Sequence, residues 1–321
     1  MKVGGVLWSR LSVARASELS AGEPLITSSK AMSTLYLEHA DLRVEIAPEA
    51  GASLLSLQSL HNGKYRDWLV DDGLAASIGV PACFPLIPFA NRITDGELEL
   101  GRHRLAANRP DLSAYPIHGY AWQKPWVVDS VGPDSLRLSY DGSDDAWPWQ
   151  YRAQLSCVLT PGELRMHLKL VHSGSGQMPA GLGLHPAFPS AGLLSIRGAT
   201  GAFLPIDKTG LPTAYIPGAP QCEALAMGQL PALGIDSDFD GWQHKLRLEW
   251  SDRQLELSAD PIFTAMHIFR PRDKPLICVE PVTHLTAAMA SRRLPAVAAP
   301  TLLAAGETLE GSVVFRLLGP Y

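Results

Sequence analysis

Four segments set polar side chains among prolines, glycines and aromatics instead of on a plain solvent face, and their residue types suit acid–base work on a hydroxyl-rich ligand. In Leu276-Ile277-Cys278-Val279-Glu280-Pro281-Val282-Thr283-His284 an apolar run ends in a carboxylate. A carboxylate on a buried strand is costly unless it is paired or used. Gly181-Leu182-Gly183-Leu184-His185-Pro186-Ala187-Phe188-Pro189 fixes the backbone around His185, so its imidazole is aimed, and imidazole gives or takes a proton near neutral pH. The run Phe84-Pro85-Leu86-Ile87-Pro88-Phe89-Ala90-Asn91-Arg92-Ile93 puts an amide beside a guanidinium, able to fork several hydroxyls of a polyol. Pro116-Ile117-His118-Gly119-Tyr120 offers a second imidazole, followed by a glycine with no side chain to hold a ligand off.

Each segment also has a plainer role available. Arg92 can pin a loop through carbonyls, His118 can be a structural loop histidine, and His185 can be a satisfied core histidine. Glu280 can pair with a nearby arginine or mark a strand end. Taken together, however, the four supply an acid, a base and hydroxyl anchors.

The elements that must position these groups read as strands. Leu42, Val44 and Ile46 alternate with Arg43 and Glu45, and Leu136, Leu138 and Tyr140 with Arg137 and Ser139. Tyr151, Ala153, Leu155, Cys157 and Leu159 form one long stripe, and Leu164, Met166, Leu168 and Leu170 another. Later stripes run through Leu246, Leu248 and Trp250, through Leu255 and Leu257, and through Val313, Phe315 and Leu317. Period-two alternation buries one face of a strand and wets the other. Pro161-Gly162 predicts a hairpin turn, and Ser173-Gly174-Ser175-Gly176 a second break. Residues 285–297 read as a short helix limited by Pro295. The fold class is all-β, one large, mostly antiparallel sandwich over residues 34–321. Residues 1–33 read as a disordered leader, with Met32 an alternative start. The apolar run 3–8 is too short for a signal peptide.

Composition narrows the partners. A net charge of −5 and the lack of a basic run exclude nucleic acid, whose phosphates need clustered cations. No apolar run is long enough to span a membrane as a helix. Cys83, Cys157, Cys222 and Cys278 are far apart with no chelating pair, which predicts reduced thiols in the cytoplasm.

The chain resembles the aldose 1-epimerase family. Asn91-Arg92-Ile93 with Gly96 is similar to its Asn-Arg motif, His118-Gly119 to its first His motif, and Gly183-Leu184-His185-Pro186-Ala187-Phe188 to its second, where a Tyr often stands in place of Ala187. Trp147-Pro148-Trp149-Gln150-Tyr151 resembles the Pro-Trp segment opening a strand in the bacterial branch. Ile235-Asp236-Ser237-Asp238-Phe239 resembles the segment with a substrate-binding Asp, and Val279-Glu280-Pro281 the catalytic Glu motif. Leu303-Ala304-Ala305-Gly306-Glu307-Thr308 resembles the closing Pro-Gly-Glu-Thr strand, with Ala305 replacing Pro. These motifs follow the family's order from about residue 35 to 317.

The resemblance implies a galactose mutarotase-like supersandwich that interconverts the α and β anomers of a free aldose, needing neither cofactor nor metal. It implies Glu280 as general base and His185 as general acid, with Asn91, Arg92, His118 and Asp236 binding the sugar. Asp238, two residues on along the same strand face, competes with Asp236 for that role. A small monosaccharide is the implied partner, for a monomer or homodimer. The longer insertions of the dedicated galactose enzymes are missing, so galactose specificity is not carried over.

Three rivals accompany this reading. A hexose-6-phosphate epimerase needs a cationic pocket, from Arg102, His103 and Arg104 at a hairpin tip or from Arg270, Arg272 and Lys274. A non-catalytic sugar-binding protein would keep the anchors and lose turnover. A metal enzyme would use His118, His185 and Glu280 as two His and one carboxylate, though their local spacing contains no chelating pair.

Overall fold

The computed structural model describes residues 34–318. The leader expected over residues 1–33, and the start at Met32, lie outside them. The long alternating stripes build an eight-stranded antiparallel sheet. Its order is Leu193–Gly198, Lys245–Trp250, Gln254–Ala259, Thr308–Leu318, Glu163–His172, Tyr151–Thr160, Ser135–Asp141, Val127–Val131. Leu164, Met166, Leu168 and Leu170 are fully buried, as are Tyr151, Ala153, Leu155 and Cys157 on the neighbouring strand. Pro161 and Gly162 form the two-residue turn between these strands, with Thr160 opposite Glu163. Leu35–His39, Leu42–Ala47, Ser53–His61 and Lys64–Asp67 form a separate four-stranded sheet.

A second eight-stranded sheet carries the chemistry. Its main path is Ile216–Pro217, Ala202–Pro205, Ile235–Asp240, Ala265–Arg270, Leu276–Val282, Gly183–Leu184, Pro85–Leu86, with Ala187–Pro189 also pairing to Leu276–Val282. Its inward face presents Phe239, Met266, Ile268 and Val279 to the main core. Phe188 of this sheet meets Phe315 of the other with ring centroids 6.3 Å apart. Because side chains alternate, the opposite face of the same strands carries Asp236, Asp238, His267 and Glu280.

That opposite face is also covered. The loops that follow Phe84, His118 and His284 lie over it, tied by Gly181 N–H to Pro88 O (2.7 Å), His118 N–H to Asn91 O (3.0 Å) and Ala287 N–H to Arg92 O (3.0 Å). Phe84, Leu86, Trp122, Leu285 and Ala288 make a second apolar cluster among them. All seven residues of Leu276–Val282 are consequently buried.

The helix expected over 285–297 does not form; the segment is a series of turns. Ala287 takes a positive φ of 62°, outside the right-handed helical region. Thr286 N–H donates to the Asp238 carboxylate at 2.6 Å, so a tertiary bond replaces the helical one. Among the described residues the α-helices are Asp72–Ala76 and Pro220–Ala226, neither long and apolar enough to cross a membrane. All four cysteines are buried and free.

Candidate active site

A cavity of about 340 Å³ opens on the covered face of the second sheet, and Asn91, Arg92, His118, His185, Asp236 and Glu280 all line it. Residues spread over 190 positions of sequence thus meet in one place. The sheet sets one wall by register: Asp238 lies opposite His267, and His267 opposite Glu280, on three adjacent strands. Chain irregularity sets the other. His185 sits between the short strands Gly183–Leu184 and Ala187–Pro189, where its N–H bonds Phe84 O at 3.0 Å. Its ring stacks on Phe84 with centroids 4.5 Å apart, and Nε2 comes to 3.2 Å from Glu280 Oε1.

Asn91 and His118 hold one another. Both take positive φ, 51° and 60°, a region uncommon for side chains other than glycine, though asparagine and histidine enter it more readily than most. Here the support is reciprocal: His118 N–H donates to Asn91 O at 3.0 Å, and Asn91 N–H donates to His118 Nδ1 at 3.2 Å. Gly119, at φ 70°, serves the backbone and not a ligand, because a Cβ there would stand 2.0 Å from Ile87 O. The Asn91 side-chain oxygen accepts from Arg92 at 3.1 Å, and Arg92 reaches Asp236 Oδ2 at 3.4 Å.

Burial dominates the electrostatics. It pushes the Glu280 carboxyl up to about 8, with Asp236 and Asp238 adding to the rise against the pull of His267 and Arg92. It pushes His185 down to about 3. At neutral pH the pair is therefore uncharged, with its single proton on Glu280. Burial, reinforced by His185 and Arg92, also carries His118 well below 6.5. A neutral His118 whose Nδ1 accepts an N–H must carry its proton on Nε2, so the ring presents a donor. Asp236 goes the other way: burial would raise it, but His267 and Arg92 outweigh burial and hold it ionised far below the usual carboxylate range.

His118, His185 and Glu280 bring one ligand atom each within 4.8 Å of one another, the spacing of a metal triad. His118 does not fit that role. One of its nitrogens is occupied by the Asn91 N–H and the other is protonated, so no lone pair faces a cation.

His267 escaped the sequence reading. It is buried, lines the cavity, and places a carboxylate against each ring nitrogen: Asp238 Oδ1 at 2.6 Å from Nδ1 and Asp236 Oδ1 at 3.0 Å from Nε2. The signal that singled out Glu280 was present here too, a polar residue inside the apolar run Ala265-Met266-His267-Ile268-Phe269. The register between the two aspartates is also resolved. Asp236 lines the cavity with a side chain 28% exposed, whereas Asp238, 1% exposed, lies behind His267.

Of the basic residues weighed for a phosphate, only Lys274 lines the cavity, and its Nζ lies 3.7 Å from Asp273. Arg270 bonds Pro231 O, Arg104 faces Glu97 at 4.0 Å, and Arg102 and His103 stand exposed on a turn.

Residues 33–316 match the family model of aldose 1-epimerase. The uncharacterized protein YphB of Escherichia coli (strain K12) is 25% identical over 271 residues, which is 78% of this chain and 88% of that protein. A crystal structure from Escherichia coli K12, provisionally named an aldose 1-epimerase, superposes with a TM-score of 0.78 at 22% identity, covering 89% of this chain and 98% of that one. A galactose mutarotase-like protein from Lactobacillus casei gives 0.72 at 20% identity over 89% and 100%. With a family match over residues 33–316, on a galactose mutarotase-like fold, the chain belongs to the aldose 1-epimerase family.

Proposed function

We propose that residues 34–321 act as one domain that mutarotates a free aldose in the cytoplasm, with Glu280 as base and His185 as acid. The observation that carries this reading is the 3.2 Å contact between Glu280 and His185 at the wall of a cavity of monosaccharide size. The anomeric hydroxyl and the ring oxygen of a pyranose are both bonded to C1, so two adjacent side chains can serve both oxygens at once.

The pair holds one proton. Moving it across the contact from Glu280 to His185 arms the site as carboxylate and imidazolium. Glu280 then takes the proton from the C1 hydroxyl while the O–H electrons form the carbonyl. The C1–O5 bond breaks, and O5 takes the proton from His185. Rotation about C1–C2 turns the other carbonyl face to O5, and the steps reverse, so the proton count returns to its start. Holding both groups in place makes each transfer local. His118 donates through Nε2 to the sugar, Arg92 steadies developing negative charge, Asn91 supports Arg92, and ionised Asp236 accepts from a distal hydroxyl.

A free sugar suits the cavity better than a sugar phosphate, since Arg92 and Lys274 each face a carboxylate already. Four buried free thiols suit a reducing compartment. Polarimetry or NMR exchange on freshly dissolved α-D-glucose, α-D-galactose and pentoses, with Glu280→Gln as control, tests the proposal. Faster equilibration that disappears in the variant is expected. Acceleration of a hexose 6-phosphate alone would move the protein to the phosphate branch, and sugar binding without any acceleration would make it a binding protein.

A further inference from the structure

We infer that His267 is an imidazolium held between the carboxylates of Asp238 and Asp236, and that it positions Asp236 at the cavity wall on the strand face shared with Glu280, a role no motif assigned to it. This rests on the mutarotase reading only for its consequence in turnover; the charge itself follows from geometry.

Both ring nitrogens face carboxylate oxygens, at 2.6 Å and 3.0 Å. A neutral imidazole has a single N–H and would leave one of these contacts lone pair against lone pair. Nδ1 is therefore the donor of a hydrogen bond to Asp238, and Nε2 carries its proton beside Asp236 Oδ1 in an ion-pair contact that is not aligned as a hydrogen bond. The Asn91 side-chain amide also comes to 3.0 Å from Nδ1, but the shorter contact to an anion fixes Nδ1 as donor to Asp238. Asp238 is itself fixed from behind by Thr286 N–H at 2.6 Å, and Asp236 from in front by Arg92 at 3.4 Å. The result is a buried row of alternating charge, Asp238, His267, Asp236, Arg92, anchored in the sheet at one end and open to the cavity at the other.

The groups facing His267 are Asp236 and Asp238 from one neighbouring strand, Glu280 from the other, and Arg92, His118 and His185 from the covering loops. Burial alone would lower its proton affinity, but the adjoining carboxylates hold it well above 6.5, Asp236 and Asp238 through direct contact and Glu280 once that carboxyl ionises. The reciprocal pull of His267 on Glu280 is the largest effect opposing burial of that carboxyl. Without this cation, Glu280 would hold its proton more tightly and Asp236 would lose the partner that orients it.

The test begins without substrate. In ¹⁵N-histidine NMR one ring should stay doubly protonated from about pH 6 to 9, beyond the ordinary histidine range, and vanish in His267→Gln. In ¹³C-glutamate NMR the Glu280 midpoint should rise by about one pH unit or more in that variant. His267→Gln/Asp238→Asn removes the cation together with its rear carboxylate and serves if the single variant misfolds. With sugar, KM should rise and the alkaline limb of the rate profile should follow the Glu280 midpoint. Titration of every histidine below about pH 7.5, or an unmoved Glu280 midpoint, overturns the inference. A persistent imidazolium and a shifted midpoint in a protein that turns over no sugar would instead overturn the mutarotase reading and leave the charge assignment standing.

Discussion

Replacing Glu280 by Gln should cut turnover sharply and, above mildly acidic pH, make the protein more stable. The native state holds the Glu280 proton up to about pH 8, whereas an unfolded chain releases it near 4.5. Between those values the unfolded state binds fewer protons than the native state, so this carboxyl contributes stability that is fully present below 4.5 and is lost as pH rises through 8. Over that span of about 3.5 units, at ~1.36 kcal/mol each, the loss reaches about 5 kcal/mol. Gln is nearly isosteric, does not ionise, and can donate to His185 as the protonated acid does. The two proteins should therefore differ little near pH 4.5 and diverge steadily towards pH 8, with the variant the more stable. Urea unfolding followed by tryptophan fluorescence at several pH values measures the gap, since seven of the eight tryptophans lie within the described fold. A gap that stays constant with pH would mean that Glu280 ionises in the native protein as it does in the unfolded chain. The neutral resting pair would then be wrong.

Glu280→Gln and His185→Asn should each lower kcat by about 10²–10⁴-fold with the circular dichroism of the fold retained; near-normal rates would remove that residue from the acid–base pair. The rate profile should fall on the alkaline side near pH 8, because loss of the single shared proton leaves a base without an acid. No alkaline limb would contradict the one-proton pair. Arg92→Ala should raise KM and release the anchor on Asp236, and kinetics equal to the parent would refute its contact with substrate. Gly119→Ala should destabilise the protein by at least ~1–3 kcal/mol, since its Cβ would stand 2.0 Å from Ile87 O at a φ of 70°; an unchanged urea midpoint would refute the close approach.

Much of this protein was legible before its fold was seen. Alternation in 151–159 and 164–170 specified strands with one buried face, because the two-residue period of a strand does not depend on what packs against it. Pro161-Gly162 specified the hairpin by local backbone preference alone. Asn91, Arg92, His118, His185 and Glu280 were visible as polar residues held among residues that stiffen or bury the chain, and all five reach one cavity. Other features depended on groups far apart in sequence. Residues 285–297 could not show that Thr286 N–H would leave the helix for a carboxylate 48 positions away. Asp236 and Asp238 share a strand face, so only the loops covering that face decided which one meets the cavity and which lies behind His267. The proton balance of Glu280 and His185 was equally out of reach, because it arises from burial beneath three loops and from charges brought in across neighbouring strands. Strands and turns follow from short-range periodicity and backbone preference, which act before any distant contact forms. Tertiary structure alone decided which groups are charged and which face the cavity, because charge in a buried site depends on every neighbour that excludes water from it.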